Sequence, residues 1–158
     1  MIHIVDAVIT LPSVVTFAAA DAATFSELVG ALVRADQPDY VSILSTANGT
    51  APAPFTVFAP TNQAFTNLYA ELNVSGIEDV DGAILTATLN THVVAGANVR
   101  AEDLVSGTVA TLGDDLEIDA TTAIITDPNG RTSQVIVTNV QAANGVIHAI
   151  DTVLLPQL

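Results

Sequence analysis

The run Asn144-Gly145-Val146-Ile147-His148-Ala149-Ile150-Asp151-Thr152-Val153-Leu154-Leu155-Pro156 leaves the chain few ways to fold. Asn-Gly reads as a turn pair, because both residues tolerate positive φ at low cost. A β-branched and aliphatic strand follows, closed by proline. Val146, His148, Ile150, Thr152 and Leu154 share one face, and Ile147, Ala149, Asp151, Val153 and Leu155 share the other. Both faces are largely apolar, so the strand is expected to be central and covered on both sides. Residues 2–9, Ile-His-Ile-Val-Asp-Ala-Val-Ile, nearly copy Ile147–Leu154 at a separation of 145 residues (147 − 2). A repeat one domain length apart suggests a tandem array. On that reading residues 1–12 are the closing strand of a preceding repeat, or a linker, and residues 13–158 are the complete domain.

Composition narrows the partners. Three arginines, no lysine and seventeen acidic residues give a net charge of −14. Such a chain repels phosphate backbones and anionic membranes, so no nucleic-acid partner is expected. No stretch reaches the ~18 apolar residues of a membrane span, so no direct membrane insertion is expected. The absence of cysteine excludes disulfides. Met1 is followed by a strand-like run without a basic region, so an export signal is expected to lie outside this stretch.

Helices are expected in the first half. Thr24-Phe25-Ser26-Glu27 has the form of a capping box. It would open a helix over 25–35 with Phe25, Leu28, Val29, Leu32 and Val33 on one face. Pro38 would open a short helix ending at Ser45. Residues 55–59 read as a strand, and Pro60-Thr61-Asn62 would end it and cap a helix bearing Phe65, Leu68, Tyr69 and Leu72. Asp79–Asp81 would open another helix, with Ile84, Leu85 and Leu89 inward, ending near His92. From Gly107 the period changes to two, predicting strands over 108–112, 116–120, 123–126, 134–140 and 146–155. Helices first and a strand meander second make an α+β fold.

Four segments resemble the fasciclin domain. Phe55–Phe65 is similar to that family's first signature box, Leu89–Gly96 to its central box, and Asn144–Pro156 to its second signature box. The fourth is the opening helix at Phe25–Leu32. The resemblance implies a β-sandwich wedge of about seven strands with several helices packed on one side and edge. Its structural motif residues here are Thr61, Asn62, Phe65, His92, Asn144, Gly145, His148 and Asp151. It also implies an extracellular, non-catalytic adhesion or matrix-contact module. Two positions depart from animal members. Thr91 stands where the central box usually has tyrosine, and Asn139-Val140 stands where integrin-engaging members carry Asp-Ile. High Ala and Thr with sparse cations resemble a bacterial member.

No catalytic constellation is visible, and no cofactor or metal site is expected. The serines lack a nucleophile-elbow context, and a metal needs three or four converging ligands. His92 and His148 are expected to pack and to hydrogen-bond Asn62 or a backbone carbonyl. Asp114, Asp115, Glu117 and Asp119 could attract calcium, but alternation makes Glu117 and Asp119 the solvated side of a hairpin. Asp79-Val80-Asp81-Gly82 could attract calcium likewise, but reads as a helix cap. Asn48 and Asn73 head glycosylation sequons. Binding is expected on residues 47–54, 73–79 or 96–106. The expected partners are an extracellular polymer, a carbohydrate or a surface protein, together with neighbouring fasciclin domains, and the expected location is secreted or cell-surface. The competing reading is a carrier of an apolar small ligand such as a pigment, held in a groove near residues 14–17 and the helices.

Overall fold

The computed structural model describes residues 11–158. The near-copy at residues 2–9, and the expectation that it packs as an orphan strand or projects from the body, lie outside the described residues.

Five α-helices and seven strands follow in order: α1 Val14–Ala20, α2 Ala22–Leu32, α3 Tyr40–Leu44, β1 Phe55–Pro60, α4 Asn62–Leu72, α5 Gly82–Thr91, β2 Val93–Ala95, β3 Gly107–Val109, β4 Leu116–Asp119, β5 Ile124–Thr126, β6 Thr132–Ala142 and β7 Gly145–Ile150. The fold is α+β, with helices segregated from a strand meander. The strands form one seven-stranded sheet in the order β2-β1-β7-β6-β5-β4-β3. Among the described residues only β1 and β7 pair in parallel, Phe55 opposite Gly145 through Pro60 opposite Ile150.

The eleven-residue β6 joins the two halves of the wedge. Its start pairs with β5, and residues from Val135 onward pair with β7. Two register shifts, between Val135 and Val137 and between Val137 and Val140, interrupt the second pairing. Bulges of this kind bend and twist a strand. The sheet therefore folds over itself and encloses a small core of Phe58, Val94, Leu116, Ile118, Ile125, Val135, Ile150 and Leu154. The helices cover the opposite face of β1 and β7 and enclose the larger core, which includes Phe25, Leu28, Phe55, Val57, Phe65, Leu85, Ile147 and Ala149.

Strand β7 is buried at every position, as its two apolar faces predict. It ends at Ile150, not Leu155. The chain bends at Asp151-Thr152, and Val153–Pro156 continue buried without ladder pairing. The expected strand over 108–112 shrinks to Gly107–Val109.

The apolar run Val14–Ala20, for which no element is expected, is a helix, capped by Ser13 Oγ accepting from Thr16 N–H. Several local expectations are corrected. Asp39, not Pro38, caps α3, its carboxylate accepting from Ser42 N–H. Thr24 does not cap a helix. Asp21 precedes α2, and Phe25 breaks its geometry at φ −125°. Val33 lies past the end of α2 and is 60% exposed. Ile84, expected inward, faces solvent, whereas Leu85 and Leu89 are buried. As the Asp79–Gly82 run predicts, α5 is capped there, by Asp81, which accepts from Ala83 and Ile84 N–H groups.

Candidate functional site

The signature residues lie along β7, after β1 and at the end of α5, and several of them join distant parts of the chain. Asn144 is 2% exposed. Its Oδ1 accepts from Val14 N–H at 3.0 Å. Its Nδ2 donates to the carbonyls of Leu44 and Thr46, both at 2.8 Å, and its own carbonyl accepts from Phe55 N–H. One residue thus ties the start of α1 and the end of α3, through its amide, and the start of β1, through its carbonyl, to the start of β7. Gly145 has no positive φ. A Cβ there would stand 2.3 Å from Phe55 O. The glycine permits close approach of β1, and the turn-pair reading of Asn144-Gly145 is corrected accordingly.

Both described histidines use both ring nitrogens. His92 Nδ1–H donates to Thr88 O at 2.7 Å, and its Nε2 accepts from Leu154 N–H at 3.0 Å. His148 Nε2–H donates to Val99 O at 2.9 Å, and its Nδ1 accepts from Asn139 N–H at 3.4 Å. His148 also stacks on Phe58 with centroids 5.9 Å apart. Burial lowers the His92 pKa to about 4 and lowers that of His148 as well. The imidazoles are neutral hydrogen-bonders with no nitrogen free for a metal or a substrate. Each donates to a backbone carbonyl, and neither pairs with Asn62.

Asn62 serves the helices. Its Oδ1 accepts from Glu27 N–H at 2.9 Å, and its Nδ2 donates to Ala22 and Ala23 carbonyls. It supplies from a distance the cap expected of Thr24. Thr61 Oγ1 caps α4 through Ala64 N–H at 3.4 Å. Phe65 is buried against Tyr69, whose hydroxyl donates to Glu27 Oε2 at 2.6 Å. Burial, then that bond, raises the Tyr69 pKa. Asp151 Oδ1 accepts from Gln134 N–H at 2.9 Å and holds the bend after β7 to the start of β6. The eight residues do not converge on one point.

Two groups escaped the sequence reading. Asp127 is buried, and its oxygens accept from the N–H groups of Asn129, Arg131 and Leu155 and from the Arg131 guanidinium. Arg131 also reaches Glu71 Oε2 at 2.7 Å. Arg34 forks onto Asp36 and donates to Ile77 and Val80 carbonyls. The Arg34 bond holds the Asp36 carboxyl down at about 2. The scarcity of arginine among so many acids was the available signal for both cations. The run Asp127-Pro128-Asn129-Gly130 has the form of a turn, and nothing local in it marks a buried carboxylate.

The three loop candidates now differ. Residues 96–106 are fastened down by Thr56 Oγ1 to Ala97 O, Val99 N–H to Thr56, Val99 O to His148, and Ala101 N–H to Asn139 Oδ1. Asn139 has φ +61° at the β6 bulge and donates to Glu102. Residues 73–79 are held by Arg34 at Ile77 O. Residues 47–52 are all exposed, at the end of the domain where Asn144 sits. On the hairpin, Glu117 and Asp119 are exposed and alternate with buried Leu116 and Ile118. Thr108 Oγ1 donates to Glu117, and Asp119 caps the following turn. Beside α1, an apolar cleft of about 160 Å³ is lined by Phe17, Phe25, Ile136, Val137, Val140 and Ala149 among others. Among the described residues, no helix is long and apolar enough to cross a membrane.

The family described as the fasciclin domain matches residues 23–156. The Synechocystis protein sll1735 is 33% identical over 146 residues, covering 92% of this chain and 98% of that protein. The cell surface glycolipoprotein MPT83 of Mycobacterium tuberculosis is 35% identical over 144 residues, covering 90% of this chain and 60% of that protein. A solved FAS1 domain pair from the insect cell adhesion molecule fasciclin I superposes with a TM-score of 0.70 at 18% identity, covering 94% of this chain and 51% of that one.

Proposed function

The chain belongs to the fasciclin domain family, and from that premise we propose that it is a non-catalytic contact module of the cell surface or its exterior, one unit of a tandem array. The observation that carries this reading is the internal use of the signature. The polar groups of Asn62, His92, Asn144, His148 and Asp151 hydrogen-bond the domain itself. Among the described residues, no buried side-chain nitrogen or oxygen lacks a partner. The machinery is a rigid scaffold, and recognition falls to exposed loops. Partners of this class are polymers, carbohydrates or proteins at the surface, together with neighbouring repeats. The name of the similar mycobacterial protein, a cell surface glycolipoprotein, supports the location.

The test is a binding screen of the purified chain against immobilised polysaccharides and whole-cell surfaces. Saturable binding lost on replacing residues 47–52 with a Gly-Ser segment is expected. Silence across both panels overturns the contact reading. The apolar cleft favours a second reading, a carrier of an apolar small molecule. Its test is organic extraction of the protein from its native source followed by mass spectrometry. A stoichiometric apolar compound that disappears on Ala149→Phe supports the carrier, and a clean extract overturns it.

A further inference from the structure

The chain has three Asn-Gly pairs, at 48–49, 129–130 and 144–145. Such a pair carries a latent reaction. The glycine backbone nitrogen can attack the asparagine Cγ, because no Cβ shields it. The fold decides whether it does so. Two of the pairs are locked. Asn144 is buried with three hydrogen bonds on its amide, and Gly145 lies in β7 against Phe55 O. Asn129 Nδ2 donates to Pro156 O at 2.7 Å, its Oδ1 accepts from Leu158 N–H at 3.3 Å, and Gly130 N–H donates to Asp127 O at 2.9 Å. The third pair is open. Asn48 and Gly49 are the exposed central residues of a turn closed by Thr50 N–H donating to Ala47 O at 3.1 Å. Gly49 has φ +89°, and no atom lies within 4 Å of where a Cβ would stand. Among the described residues, neither the Asn48 amide nor Gly49 N–H bonds to the protein.

We propose that Asn48 is a self-modification site, where the side-chain amide is hydrolysed through a cyclic imide to aspartate and isoaspartate. The Gly49 amide gives its proton to water, and its nitrogen forms a bond to Asn48 Cγ. The Cγ–Nδ2 bond breaks, and Nδ2 takes up a proton and leaves as ammonia. Water then opens the imide. Cleavage between the nitrogen and Cγ restores the ordinary backbone with a carboxylate at position 48. Cleavage between the nitrogen and the main-chain carbonyl carbon routes the backbone through the side chain and lengthens it by one atom. Water is the only co-reactant, and one amide becomes one carboxylate. The new charge falls where the chain has none, since residues 40–70 contain no Asp, Glu, Lys or Arg. The exposed loop at 47–52 thereby turns from neutral to acidic as the protein ages, and like charge disfavours anionic partners there. That consequence rests on the contact reading above, and the reaction itself does not.

The test is peptide mapping by mass spectrometry after the purified chain has been incubated in mildly alkaline buffer, with isoaspartate counted by enzymatic methylation. Cleavage after Arg34, Arg100 and Arg131 puts each pair on its own peptide. The mass gain of amide hydrolysis is expected on the peptide carrying Asn48, together with isoaspartate, and not on those carrying Asn129 and Asn144. Unfolding in urea is expected to bring those two up to the rate of the first. An unchanged Asn48 peptide, or equal gains at all three pairs in the folded chain, overturns the assignment. A glycan on Asn48 in protein from its native source overturns it too, because the amide is then blocked. Asn48→Gln keeps a neutral amide on the exposed turn and is expected to lose the gain and the isoaspartate together. Their persistence in that variant places the reaction elsewhere and overturns the site. Asn48→Asp is expected to weaken binding to an anionic polysaccharide relative to the unmodified chain. Equal binding overturns the consequence for contact and leaves the site standing, and failure of the contact reading leaves the mass gain in place.

Discussion

The two faces of β7 look into different cores. Among the described residues the helix side gathers 24 buried apolar residues, and the wedge interior gathers eight. The larger core is fixed by interdigitating side chains under the five helices, and it contains neither described histidine. The smaller one lies against His148, which stacks on Phe58, and His92, which receives Leu154 N–H. Fewer apolar contacts there leave more of the specificity to buried hydrogen bonds, which are costly when broken. The lesson is that one core should respond to volume and the other to protonation.

The largest effect is expected where both cores depend on one backbone contact. Gly145→Val places side-chain atoms against Phe55 O and forces β1 from β7. A loss of about 3 kcal/mol or more is expected in urea denaturation, and an unchanged midpoint would break the close-approach account.

Acid should separate the two sides. A histidine kept neutral by burial has a lowered folded pKa, so the unfolded chain binds the extra proton. Stability is full above the unfolded pKa near 6.5. It falls as pH drops toward about 4, where His92 titrates in the fold. The loss by pH 4 is on the order of 3 kcal/mol. Hydrogen exchange should rise first at Leu154 and β2, before α2 and α4. Uniform loss of protection would erase the proposed contrast, and His92→Gln should flatten the profile between pH 6.5 and 4.

Asn62→Ala acts on the helix side alone. It removes the cap at Glu27 N–H and is expected to cost about 1 kcal/mol, by the usual scale of N-caps. Exchange should increase at the second half of α2 with little change in the wedge. Last, Glu117→Gln on the solvated hairpin should shift stability by less than about 0.5 kcal/mol. A larger thermal shift would show that its bond to Thr108 matters to the wedge.

Local chemistry was legible wherever the cause lay within a few residues. The alternation of β7, the Thr61 cap, the Asp81 cap and the buried Leu85 and Leu89 followed from period and capping rules. Helix α1 was missed because Val14–Ala20 offers no polar face to set a helical period, although Ser13 and Thr16 carried the cap. Thr24-Phe25-Ser26-Glu27 misled because the motif is local while the actual cap, Asn62, comes from 35 residues away. Val33 was assigned to a helical face that the helix does not reach.

The sequence by itself determined the family, the α+β order, the double-sided burial of the closing strand and the acidity. These depend on composition and on neighbours in the chain. Only the tertiary structure decided why Gly145 is glycine, what Asn144 and Asn62 hold, and which loops are fastened. Each of those depends on β1 lying parallel to β7, segments 90 residues apart at Phe55 and Gly145. No local preference encodes that pairing. It follows from burying both faces of β7 at once, which demands helices on one side and a folded sheet on the other.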